Sequence, residues 1–234
     1  MLLTDAVVFI TGANRGIGLE FAKAALAGGA RKVYAAARNP DTITLEGVVK
    51  VRLDVTDPKQ VAAIPALCPD VTLLINNAGI ARFGAFLDDD SEQNAYDHFE
   101  TNFFGPLRLT KALAPVLASN GGGAVLNVLS VASFLNGPAL ATYAASKSAA
   151  WALTNGLRQE LEAQKTQVSA LHMGFVDTDL TTAIDAPKAK PADIVARAYA
   201  GLAANQPEIL ADELTQQVKN SLSSDKALYL TGVR

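Results

Sequence analysis

The chain has 234 residues, half of them apolar and 18% charged, with a formal net charge of −3. That supplies enough apolar material for one sizeable core and is too apolar for a disordered chain. Lys and Arg are scattered, which argues against the basic face that nucleic acid or an anionic membrane requires, and the single cysteine, Cys68, excludes an internal disulfide framework.

Residues 1–5 precede the first apolar run without the basic start and cleavage site of a secretory signal, so a cytoplasmic setting is expected. No apolar run approaches the roughly 20 residues of a membrane-spanning helix. In chain order, the pattern predicts a strand at 6–11, a helix at 16–27, and strands at 32–36 and 48–53. A helix at 58–67 and a strand at 71–75 follow, then a long helical stretch at 92–119 interrupted by Pro106 and Pro115. The remainder reads as strand 124–129, helix 142–163, strand 167–172, helix 191–204, strand 208–211 and helix 214–221. Several strands are nearly continuous apolar runs, as strands covered on both faces must be. The alternation predicts one α/β domain over residues 1–234, a doubly wound, mostly parallel seven-stranded sheet with helices on both faces.

The first strand runs into Thr11-Gly12-Ala13-Asn14-Arg15-Gly16-Ile17-Gly18, and a helix follows at once. Gly12 permits a tight turn, Gly16 lets backbone approach a pyrophosphate, and Gly18 lets the helix pack closely. Free N–H groups and the dipole at the helix start favour the anion. Strand, turn and helix together point to dinucleotide binding through this segment, Asn14 and Ile17 included.

The choice of dinucleotide falls about 20 residues later, where an acidic residue would hold the adenosine ribose. Here the strand ends in Ala36-Ala37-Arg38-Asn39, with no carboxylate at its tip. Arg38 is suited to stack on adenine and pair with a 2′-phosphate, and Arg15 approaches from the glycine turn. NADP(H) is therefore expected over NAD(H), unless Asp41 folds back to supply the missing carboxylate.

With these residues stand Asn76-Asn77-Ala78-Gly79, Asn102, Ser130 and Tyr143-Ala144-Ala145-Ser146-Lys147. Taken in order, the set resembles the classical short-chain dehydrogenase/reductase family across nearly the whole chain. The resemblance implies a Rossmann fold and a catalytic set of Asn102, Ser130, Tyr143 and Lys147, with Ser133 a rival hydroxyl better suited to line the pocket. Tyr143 and Lys147 are four apart on a predicted helix and share one face. A nearby ammonium favours the phenolate, so Lys147 is expected to lower the tyrosine's pKa from about 10. In carbonyl reduction Tyr143 would protonate the developing alkoxide while Ser130 hydrogen-bonds the same oxygen. The resemblance also has Lys147 binding the nicotinamide ribose and Asn102 helping a water relay protons from Lys147.

Further positions follow from the same resemblance. Asp54 and Val55 would contact adenine, Asn76, Ala78 and Gly79 would lie along the cofactor, and Gly174, Val176 and Thr178 would meet its far end. Met173 stands where the family usually has proline, which bears on the backbone path there. The expected substrate wall is apolar: Phe83, Val131, Ser133, Phe134, Leu135, Leu140, Met173, Phe175 and Leu180, with Arg82 as the one charged neighbour. It suits a modest-sized apolar ketone, aldehyde or alcohol under a short covering loop. No metal is expected, since His98 and His172 lack ligand spacing. The chain's last residues, 231–234, lack the longer tail of many tetrameric relatives, so a homodimer is expected. A catalytically silent dinucleotide sensor, or an epimerase or dehydratase of the extended branch, are the competing classes.

Overall fold

A computed structural model describes residues 2–231. Seven strands form one sheet: β1 Val7–Thr11, β2 Lys32–Ala37, β3 Val49–Arg52, β4 Leu73–Asn76, β5 Gly123–Val128, β6 Thr166–His172 and β7 Glu208–Leu210. Their order is β3-β2-β1-β4-β5-β6-β7, and every pairing is parallel, so the sheet is wholly rather than mostly parallel.

Strand alternation sorts the core into two layers. Val8 and Ile10 of β1 pack with Phe21 and Ala25, on the face covered by α1 (Gly16–Ala27) and α6 (Pro191–Ala203). Val7 and Phe9 pack with Leu109 and Leu113, on the face covered by α2 (Pro58–Leu67), α4 (Gly105–Ser119) and α5 (Ala141–Glu160). The chain reverses direction of winding between β1 and β4. A crevice therefore opens at the carboxyl ends of those strands, where open α/β sheets bind ligands.

The stretch expected as one interrupted helix is three pieces: α3 (Ser91–Phe99), a π-helical turn (Glu100–Phe104) and α4. Pro106 carries no N–H for the carbonyl of Asn102, four residues back, and its ring would clash there in a regular helix. The backbone widens instead, and Gly105 N–H bonds Glu100 O. Pro115, by contrast, lies within α4 without dividing it. The carbonyl it leaves unserved belongs to Lys111 on the exposed side, where water can take its place. Two further helices, α7 (Glu213–Ser221) and α8 (Leu228–Thr231), complete the described residues. No described helix is long and apolar enough to cross a membrane.

Candidate active site

The crevice is a cleft of about 980 Å³. At one end the glycine turn leaves β1 with Gly12 at φ +64° and Gly16 at φ +54°, both in the left-handed region that favours glycine. A side chain at Gly18 would put its Cβ 2.1 Å from Gly12 O, so the close approach is of α1 onto the turn itself. Thr11 and Asn77 brace this turn from behind. Thr11 Oγ1 accepts the N–H groups of Asn77 and Ala78 at 2.9 Å each, and Asn77 Nδ2 donates to Thr11 O at 2.8 Å.

Most of the sequence-predicted cofactor positions line the cleft: Gly12, Asn14, Arg15, Gly16, Ile17, Arg38, Asp54, Val55, Ala78, Gly79, Gly174, Val176 and Thr178. Two do not. Gly18 sits behind the turn. Asn76 points into the core, its Nδ2 donating to Thr110 Oγ1 and Asn127 Oδ1, and so ties β4 to α4 and β5. The asparagine in the cleft is its neighbour Asn77. Asp41 does not reach the cleft; its N–H is held by Asn39 Oδ1 in the 3-10 turn Pro40–Thr42. Arg15 donates to Asp179 at 2.9 Å rather than standing free. Asp54 Oδ1 accepts from Thr56 N and Oγ1, which holds the carboxylate at the cleft wall.

At the other end Ser130, Tyr143 and Lys147 share the lining. Ser130 follows β5, accepts the Ala132 N–H on Oγ at 3.1 Å and donates its own proton to Met173 O at a long 3.5 Å. Tyr143 and Lys147 project from one face of α5, the ammonium 5.7 Å from the ring centroid. Lys147 is 6% exposed and donates to Val128 O at 2.9 Å. Burial pulls its pKa down to about 8. Burial also pushes the Tyr143 phenol above its ordinary value, with the Ser130 hydroxyl opposing. The expected lowering by Lys147 is therefore not what governs this phenol; desolvation wins.

Asn102 lies behind the lysine. Its Oδ1 accepts the Ile80 N–H, and its Nδ2 donates to Ile80 O and Ser146 Oγ. Both amide protons are engaged, so the side chain braces the segment after β4. A Cβ at Gly79 would stand 3.1 Å from Asn102 Oδ1 and 3.7 Å from Lys147 Nζ, so the three groups converge there.

Of the expected substrate wall, Phe83, Val131, Leu135, Leu140, Met173, Phe175 and Leu180 line the cleft. Ser133 and Phe134 do not. Ser133 is buried away from it, and Phe134 stacks on His172. Arg82 lines the cleft but is paired with Asp97 and bonds Asn94. The backbone at Met173 is held without a proline: its carbonyl accepts Val131 N–H at 2.7 Å, and Gly174 N–H donates to Asp212 at 2.6 Å. Asp212 is a residue that motif reading missed, while Thr11 and Asn77 stand inside the quoted motifs without a role of their own there. His98, given no role from the sequence, accepts Arg82 N–H and contacts Thr142 Oγ1, with its ring edge-on to Tyr143. Residues 232–234, which bore on the homodimer expectation, lie outside the described residues.

A family model described as short chain dehydrogenase matches residues 6–189. Among curated proteins, the chain is 35% identical over 196 residues to dehydrogenase/reductase SDR family member 7B of Bos taurus. That match takes in 76% of the chain but only 60% of the relative. It is 30% identical to the 3-oxoacyl-(acyl-carrier-protein) reductase FabG of Salmonella typhimurium, covering 99% of the chain and 95% of the relative. Among solved structures, a short chain dehydrogenase from Burkholderia cenocepacia J2315 in complex with NADP superposes with a TM-score of 0.95, at 34% identity and 100% coverage of both chains. A short chain dehydrogenase/reductase from Burkholderia phymatum in complex with NAD gives 0.83 at 25% identity, covering 95% of each chain.

Proposed function

The chain belongs to the short-chain dehydrogenase family, and from that premise we propose that it passes a hydride between NADP(H) and a carbonyl or alcohol, with Tyr143 as general acid and base. The observation that carries this reading is the meeting of Ser130, Tyr143 and Lys147 in the same cleft as the glycine turn. The cleft fits a dinucleotide, because Gly12 and Gly16 hold backbone open where a Cβ would be strained, and Thr178 lies against Gly16. When bound, NADP(H) supplies or accepts the hydride.

The residues do the rest. In the reductive direction the Tyr143 hydroxyl gives its proton to the substrate oxygen, and the phenol kept neutral by burial is the form suited to that task. Ser130 Oγ, already accepting from Ala132, turns its proton from the long contact with Met173 O toward the same oxygen and fixes it in line. Lys147, anchored on Val128 O, keeps positive charge beside the phenol as it ionises. Asn102 and Gly79 hold the segment against which the lysine rests.

Preference for NADP(H) is supported by Arg38 at the cleft, by the absence of a carboxylate at the tip of β2, and by Asp41 lying outside the lining. This support comes from the chain's own residues, since solved relatives include both an NADP and an NAD complex. The substrate we propose is a modest-sized apolar ketone or aldehyde, or the matching alcohol, received by Phe83, Leu140, Phe175 and Leu180. Arg82 recruits no anion in this reading, because Asp97 already neutralises it. The assembly we propose is a homodimer paired through the helical segments bearing Asn102 and Tyr143, to be checked by light scattering.

The deciding experiment follows nicotinamide absorbance with NADPH and NADH against a panel of apolar ketones and aldehydes. Wild type is expected to turn over with NADPH, and Tyr143→Phe to lose about 10²–10⁴-fold in kcat while still binding cofactor. Cofactor binding without turnover of any carbonyl would replace this reading with a silent dinucleotide sensor.

A further inference from the structure

Behind Ser130 lies a buried group that the mechanism above does not use. His172 ends β6 and is wholly buried. Its ring stacks on Phe134, centroids 4.3 Å apart and 26° from parallel, and meets Trp151 edge-on at 6.4 Å. Trp151 Nε1–H donates to Glu208 at 2.6 Å, and Glu208 pairs with Lys219 at 2.6 Å. The Lys219 ammonium in turn sits 4.8 Å from the Phe134 centroid and 4.6 Å from that of Trp151. The imidazole is thus clamped on two sides by rings that are themselves held.

The one hydrogen bond recorded for the imidazole runs from Nδ1 to the Ser130 carbonyl, at 3.3 Å; Nε2 meets no partner among the described residues. A carbonyl only accepts, so Nδ1 carries the proton. Burial pulls the His172 pKa down to about 4; the Ser130 carbonyl and then Glu208 oppose this, while Lys219 and Lys147 reinforce it. The ring is therefore uncharged near neutrality. Burying an unpartnered ring nitrogen costs stability, and an apolar side chain would avoid that cost. What the imidazole offers that a leucine cannot is a hydrogen bond to Ser130.

That bond joins others already made at Ser130, whose Oγ accepts from Ala132 N–H and donates to Met173 O. Ser130 lies between the end of β5 and the 3-10 turn Val131–Ser133, beyond the last ladder pair of the two strands. Its carbonyl already takes Ser133 N–H at 2.9 Å, and Val131 N–H reaches Met173 O at 2.7 Å. A second donor on that carbonyl, mounted on a clamped ring, adds a further tie to the peptide that follows Ser130.

We propose that His172 is a positioning residue: its uncharged ring, held between Phe134 and Trp151, grips the Ser130 carbonyl and so aims Ser130 Oγ at the reacting oxygen. The kinetic part of this proposal rests on the carbonyl-reductase reading; the hydrogen bond itself does not.

The test combines a mutant cycle with NMR. With NADPH and the fastest ketone of the panel, His172→Leu is expected to lower kcat about 10-fold at unchanged NADPH affinity, a modest loss of alignment. His172→Asn, whose amide N–H begins from a similar point on the side chain, is expected to restore kcat to within about 3-fold of wild type. In a Ser130→Ala background His172→Leu is expected to have no further effect, because the two act as one unit. Equal losses in both backgrounds, or full kcat in His172→Leu, would overturn the proposal. Long-range ¹⁵N–¹H correlations on the wild-type protein are expected to show His172 protonated on Nδ1 alone between about pH 5 and 8, where a free imidazole would titrate. An Nε2–H tautomer or a cation in that range overturns it even if His172→Leu fails to fold. If no ketone is turned over, the reductase reading falls, and the NMR result alone decides the hydrogen bond.

Discussion

Arg15 Nη1 lies 2.9 Å from Asp179 Oδ2, an ion pair between two exposed side chains that ties the glycine turn to the segment after β6 across the mouth of the cleft. The same guanidinium is a candidate partner for a 2′-phosphate, so the carboxylate competes with that phosphate. Exposed pairs contribute at most about 1 kcal/mol, which sets the size of the effect. Asp179→Asn is expected to raise kcat/KM with NADPH about two- to fivefold and to leave NADH unchanged. Steady-state kinetics with both nucleotides checks this; an equal change with both would mean that the pair merely fastens the loop.

Gly18→Ala is expected to weaken NADPH binding at least about 10-fold, although Gly18 does not itself line the cleft. The added Cβ would meet Gly12 O in the turn at 2.1 Å and the bracing Asn77 Nδ2 at 2.6 Å. Backbone cannot step aside as the tip of a flexible side chain can, so the turn must open. Fluorescence titration with NADPH reads the affinity, and melting temperature separates a deformed turn from a lost fold. Wild-type affinity in this variant would mean that α1 can withdraw without disturbing Gly12 and Gly16.

What was legible in the sequence follows from local physics. Short apolar runs rich in β-branched residues and bounded by glycine, such as Val7–Thr11, read as strands sealed on both faces, and α1 and α2 begin and end where their signals stand. The glycine turn and the Tyr143–Lys147 pair are likewise short-range patterns. What was not legible depends on which way a side chain turns, or on contacts distant in sequence. Asn76 and Asn77 are adjacent and chemically identical, yet one faces the core and the other the cleft. Ser133 and Phe134 follow the cleft-lining Ala132 and are turned away by the 3-10 turn. Arg15 and Asp179 are 164 residues apart, and no pattern along the chain brings them together. The proline at 106 announced a break but not its form, because widening to a π turn and ending the helix are both answers to one missing N–H.

Asp212 joins two of these distant pieces. One carboxylate oxygen accepts Gly174 N–H at 2.6 Å, and the other caps α7 through Thr215 N–H at 2.8 Å. Asp212→Ala removes both and is expected to cost about 1–3 kcal/mol, a lost cap plus an unserved backbone donor. Asp212→Asn has a single acceptor oxygen and can serve only one of the two N–H groups, so its loss should fall between. Urea unfolding of the three proteins orders them, and an Asn variant as unstable as the Ala variant would show that charge, not geometry, carries the contact.

Lys147 should stabilise activity at the expense of the fold. Its amine, 6% exposed, is held at about 8 against an ordinary 10.5. Keeping it charged inside the folded protein therefore costs about 3 kcal/mol below pH 8, where the amine is protonated in both folded and unfolded chains. Between about pH 8 and 10.5 the folded protein sheds this proton before the unfolded chain does, so the cost is relieved and stability from this group rises with pH. Lys147→Met removes the charge but leaves Val128 O without its donor, so its net gain at pH 7 is expected to be roughly 1–2 kcal/mol. The variant should be more stable than wild type near neutrality, with that advantage shrinking as pH climbs past 8, and it should turn over no carbonyl. Unfolding curves of both proteins across that range provide the check. An advantage that stays constant with pH would mean the gain comes from packing of the methionine and not from a desolvated ammonium.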